Sequence, residues 1–111
     1  MAIILPRAFL FMTMGYLYII VNKAFEGWVK VGTTENLTKR LYTYQTGDPF
    51  RGYVLVYSVR HPKFRQAEKK IKDVMNHFAT DIRGEWYQID LEFAKTRLDE
   101  QLEEFNGTIG K

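Results

Sequence analysis

Apolar and polar positions along the chain fall into alternating and helical stretches that predict its elements. In "YLYIIV", Tyr16 to Val21, side chains alternate across an extended backbone, so Leu17, Ile19 and Val21 share one face and Tyr16 and Tyr18 the other. "NKAFEG" then makes a connection into a second strand, Trp28 to Val31, and the two strands read as a hairpin. If Val29 and Val31 pack with Leu17 and Ile19, Lys30 emerges on the side of Tyr18. Gly32 relaxes the backbone, and Thr33 or Thr34 is placed to cap a helix carrying Leu37, Leu41 and Tyr44 at i, i+4, i+7. Gly47 and the Asp48-Pro49 pair end it.

"YVLVYSV", Tyr53 to Val59, is the clearest strand. After Pro62, Phe64, Ala67, Ile71, Val74, Met75 and Phe78 stand at helical spacing. "GEWYQI", Gly84 to Ile89, reads as a short extended piece, and Leu91, Ala94, Leu98 and Phe105 mark a last helix. The expected fold is α+β, in the order ββαβα followed by a short strand and a C-terminal helix.

Composition narrows the function classes. A chain of 111 residues with 46% hydrophobic content suggests one domain, assigned to 14–111. Residues 1–13 are expected to be an N-terminal extension, because Met12 and Met14 sit just before the first strand. The uncharged run from Ala8 to Val21 is shorter than a membrane span of about 20 residues, and no small-residue cleavage site follows it, so no membrane partner is expected. Cysteine is absent, which removes disulfides, a thiolate nucleophile and thiolate metal sites, and is compatible with a reducing cytosol. From Met1 to Asp90, 13 Lys and Arg stand against 8 Asp and Glu, whereas Leu91 to Phe105 has 2 against 5. A basic body with an acidic terminal helix permits a polyanionic partner.

Candidate chemistry is sparse when residues are taken singly. Glu68 lies about 40° from Phe64 and about 20° from Met75 around its helix, at the edge of the apolar stripe. Pairing with Lys72 one turn on accounts for it, at a few tenths of a kcal/mol, but a carboxylate there could also hold a hard divalent cation. Arg40 leaves its helix near the packed side, where a planar donor fork suits a phosphate. His61 and His77 lack the spacing of a helical metal pair and are read as structural; the glycines form no phosphate-cradling loop.

The series is more specific than its members. Tyr16-Leu17-Tyr18, then Lys30-Val31-Gly32, Arg40 eight residues beyond the glycine, and Glu68 on a later helix resemble the GIY-YIG nuclease family over roughly Gly15 to Ile89. There are two departures: Tyr16 stands where the family name has glycine, and Lys30 where it has tyrosine, a lysine that looks like the variant of a phage and bacterial subgroup and of some restriction-type members. The family's terminal asparagine has no counterpart, with Glu85 or Gln88 as stand-ins.

The resemblance implies a three-stranded antiparallel sheet flanked by helices and a metal-dependent DNA endonuclease or nickase; the alternative is a nucleic-acid-binding module that keeps the fold without hydrolysis. It implies catalytic roles for Tyr18, Lys30, Arg40 and Glu68, with Glu68 holding Mg2+ or Mn2+. Tyr16, Gly32, Lys39, Lys69 and Lys72 become the expected substrate contacts. DNA is the implied partner, a homodimer or separate partner would supply specificity, and the setting is the cytoplasm of a bacterial or phage-infected cell. A tyrosine of pKa about 10 is a poor base at neutral pH. An ammonium at Lys30 would favour the Tyr18 phenolate, and a neutral Lys30 could take the phenolic proton.

Overall fold

The computed structural model describes residues 14–107, with side chains as far as Glu104; the expected extension over residues 1–13 lies outside them. The elements are β1 (Gly15–Asn22), β2 (Trp28–Thr34), α1 (Leu37–Thr46), β3 (Tyr53–His61), α2 (Phe64–Phe78), β4 (Asp81–Arg83), β5 (Trp86–Gln88) and α3 (Leu91–Gly107), with a 3-10 turn over Lys23–Phe25. The class is α+β as expected, but the sheet has five antiparallel strands rather than three, in the order β3-β1-β2-β5-β4. The additional pair is a hairpin. Gly84, at φ 59, opens a two-residue turn that sets Arg83 opposite Trp86, a conformation a residue with a Cβ rarely adopts. Trp28, Val29 and Lys30 of β2 then pair with Gln88, Tyr87 and Trp86.

Side-chain alternation divides the sheet into two unlike faces. Ile19 is paired with Val31, and Leu17 with Thr33, so Leu17, Ile19, Val29 and Val31 point together into the core. There they meet Ala67, Ile71 and Met75 of α2 and Ala94, Leu98 and Leu102 of α3. Each fully buried aliphatic side chain contributes about 1.5–3 kcal/mol, which is why α2 and α3 are held to this face. Phe78, expected in the same stripe, instead lies 45% exposed at the end of α2, edge-on to Phe93.

On the other face Tyr18 is paired with Gly32 and Ile20 with Lys30, and α1 lies over them through Tyr44. The cap of α1 is Asn36, not Thr33 or Thr34: its Oδ1 accepts the Lys39 N–H at 3.0 Å, while Thr34 Oγ1 accepts the Asn36 N–H at 3.1 Å. Thr34 therefore orders the residue that caps. At the far end of α1, the Asp48 carboxylate accepts the N–H groups of Phe50 and Gly52 and the Asn22 amide, tying the loop before β3 to the end of β1. Its pKa is lowered chiefly by those two backbone donors.

Candidate active site

Tyr18 is buried, and its hydroxyl stands 3.2 Å from that of Tyr44. The Lys30 ammonium lies 4.9 Å from the centre of the Tyr44 ring and 3.2 Å from Glu85 Oε2. Lys72 joins the other Glu85 oxygen, at 3.7 Å, to Glu68 Oε2, at 3.5 Å. Thr33 Oγ1 donates to the remaining Glu68 oxygen at 3.0 Å. These contacts form one continuous array, Tyr18-Tyr44-Lys30-Glu85-Lys72-Glu68-Thr33, which runs around the edge of β2. It can do so because β5 covers β2 only as far as Lys30. Beyond that point no strand among the described residues pairs with this edge, and Glu68 approaches it from the α2 side while Tyr18 lies on the α1 side.

Burial sets the protonation states. It pushes the Tyr18 phenol well above its ordinary value, helped by the Tyr44 hydroxyl and by Glu85, with Arg40 pulling the other way. Burial works to lower Lys30, but the Tyr44 hydroxyl and the Glu85 carboxylate outweigh it, and the net shift is upward. Glu85 is held below the usual carboxylate range by its hydrogen bond from Lys30, against a partial desolvation. The resting array therefore contains a neutral phenol beside an ammonium–carboxylate pair. Of the two roles open to Lys30, the neutral base is not the resting form, and the ammonium acts first on Tyr44 and Glu85.

Arg40 is exposed on α1 and lines a hollow of about 310 Å3 with Thr33, Thr34, Asn36, Phe64 and Arg65. Arg65 is engaged by Glu35 at 3.1 Å and lies over the Phe64 ring. Thr33 belongs to both this hollow and the array, so Arg40 and Glu68 face a common residue. Of the expected substrate contacts, Gly32 lies beneath Tyr18, Lys72 is inside the array, and Tyr16 shares the face of Tyr18. Lys39 and Lys69 are exposed and stand outside the array. Tyr44 and Thr33 are parts that sequence reasoning missed. The spacing of Tyr44 from Leu37 fits packing equally well, and Thr33 reads as a cap.

Residues 15–104 match the T5orf172 domain. The chain belongs to this family. Neither a curated protein nor a solved structure matches it. The matched span contains the whole array, and the T5orf172 domain suggests a nuclease or nucleic-acid-binding role. No helix among the described residues is long and apolar enough to cross a membrane.

Among the described residues no group of three or more His, Asp or Glu could hold a metal ion. Glu68 fits a narrower role: a half-buried carboxylate, oriented by Thr33, with its second oxygen turned to a cation. Mg2+ commonly takes one or two carboxylates and fills its remaining positions with water and substrate phosphate. Such an ion would compete with Lys72 for Glu68.

Proposed function

We propose that this T5orf172 domain is a metal-dependent DNA endonuclease or nickase of the GIY-YIG type, hydrolysing phosphodiester bonds. The carrying observation is the array itself, in which a buried tyrosine hydroxyl, a lysine and a carboxylate from two strands and a helix are linked through Tyr44, Glu85 and Lys72 beside an arginine-lined hollow. The domain is phage-associated and found in some endonucleases, which supports the same reading.

Arg40 would clamp the scissile phosphate as a planar fork and offset the charge that builds on it. Mg2+ or Mn2+ held by Glu68 would supply charge neutralisation at the leaving oxygen. Tyr18, neutral at rest, would orient the attacking water by hydrogen bonding. Arg40 works to lower the Tyr18 phenol but is outweighed by burial and the Tyr44 hydroxyl, so Tyr18 would position the water while Arg40 holds the phosphate beside it. Lys30 and Glu85 would fix the position of Tyr44, and through it the Tyr18 hydroxyl. Specificity would come from a second copy or a separate partner.

The second reading, a nucleic-acid-binding module without hydrolysis, is favoured by one observation: both Glu68 oxygens are already engaged, by Thr33 and Lys72. Supercoiled plasmid incubated with the purified protein and Mg2+ or Mn2+ separates the two. Nicked or linear product that disappears with chelator supports hydrolysis, and plasmid that is shifted on a gel but stays supercoiled supports binding alone.

A further inference from the structure

The face that carries Tyr18 continues past Lys30 into a second hollow, of about 420 Å3, lined by Phe25, Trp28, Arg83 and Trp86. Both tryptophans of the chain are here. Neither belongs to the buried core, because Trp28 and Trp86 lie on the face turned away from α2 and α3. Trp86 is the cross-strand partner of Lys30, so the hollow opens one strand from the array.

The rings around it form a connected series. Phe25 stands edge-on to Trp86 at 5.4 Å, Trp86 is 6.3 Å from Tyr53, and Tyr53 is 5.3 Å from Tyr44, whose hydroxyl meets that of Tyr18. Arg83 sits at the rim, its guanidinium 5.8 Å from the centre of Trp28 and paired through Nε with Asp81 Oδ2 at 3.4 Å, an exposed contact that a phosphate can displace.

The chemistry of this lining selects its guest. Partly exposed indoles favour a flat π-system. The guanidinium opposes a cationic guest and favours an anionic one. An aromatic base carrying a phosphate meets both demands, and only an unpaired base has a free ring face to offer. We propose that the hollow is a subsite for one unpaired nucleobase, stacked on the tryptophans with its phosphate on Arg83. The strand that reaches Arg40 and Glu68 is then single-stranded or locally opened DNA. This rests on the nucleic-acid reading of the array and narrows its substrate class.

The test titrates the full chain, in chelator so that nothing is cut, with a single-stranded oligonucleotide of about 12 residues and with the blunt duplex of the same sequence. The single strand should bind about tenfold more tightly and quench the tryptophan emission. Trp86→Ala should weaken the single strand about tenfold and leave the duplex unchanged. Arg83→Gln, at an exposed site, should lower the salt slope for the single strand by about one unit, and it carries the test alone if Trp86→Ala does not fold. Equal affinity for the two probes, or single-strand binding unaltered in a folded variant, overturns the subsite. Wild-type plasmid cleavage run alongside keeps the two ideas apart. Cleavage without a single-strand preference sinks only the subsite, and a single-strand preference without cleavage upholds the subsite and sinks the nuclease.

Discussion

The Tyr18 ring lies directly across Gly32: a Cβ on that glycine would stand 2.5 Å from the Tyr18 hydroxyl oxygen and 2.6 Å from the carbon that bears it. Gly32 is the cross-strand partner of Tyr18, so the absent side chain is the space the phenol occupies. The glycine of the second motif is thus required by the tyrosine of the first.

Gly32→Ala should therefore displace Tyr18 and destabilise the domain by about 1–3 kcal/mol, the usual result of overpacking a buried contact. Chemical denaturation measures the loss. Unchanged stability would mean that Tyr18 has another resting place.

Glu68→Gln keeps the shape of the side chain and an oxygen for the Thr33 hydroxyl, but removes the charge facing Lys72. Metal-dependent cleavage should vanish, while stability shifts by less than about 1 kcal/mol because the Lys72 pair is partly solvated. Cleavage that persists in this variant and in chelator would count against the proposed site.

The Lys30 side chain is only 16% exposed and is engaged by Glu85, so it is poorly placed to neutralise a DNA phosphate. Lys30→Met should lower the single-turnover rate and leave the salt slope of DNA binding unchanged. A slope reduced by about one unit, with the rate at saturating protein intact, would make Lys30 a phosphate contact instead.

Three tyrosines, Tyr18, Tyr57 and Tyr87, have phenols raised chiefly by burial and should make the fold sensitive to alkali. Burial raises the Tyr57 pKa, as does the hydrogen bond it donates to Asp99 at 2.6 Å, and burial does the same for Tyr18. Groups whose folded pKa exceeds the unfolded value of about 10 give stability that is fully present below pH ~10 and is lost as pH climbs through the folded values. Thermal midpoints should fall above pH ~10. Tyr57→Phe should lose about 1 kcal/mol at neutral pH and show a shallower alkaline fall; an equally steep fall would remove Tyr57 from the cause.

The parts of the fold legible in the sequence were those with a long enough pattern. Alternation over Tyr16 to Val21 placed Tyr18 and Lys30 on one face, and the stripe from Phe64 to Met75 placed Glu68 at its border. Strands of three residues, such as Asp81–Arg83, carry too few alternations to stand out, so β4 was hidden and Glu85 was read as part of a short extended piece rather than as a turn residue. Its position at the turn of that hairpin brings it to Lys30 and Lys72. Thr33 was obscured for a related reason: its contact with Glu68 spans 35 residues, which local spacing does not encode.

The pairing of β1 with β2 also bears on the order in which the domain folds. Their connection runs only from Lys23 to Gly27, held by Asn22 accepting the Ala24 N–H at 3.0 Å, whereas β1 meets β3 only after all of β2 and α1. Closing the shorter loop costs less chain entropy, so the hairpin bearing Tyr18, Lys30 and Gly32 should form before β3 docks. Folding-rate measurements on Ile19→Val and Val59→Ala would register this as a larger fractional effect at Ile19. Lesions late in the chain would then reach a population in which the tyrosine is already seated on its glycine, and Tyr44, Glu68 and Glu85 close around a preformed half.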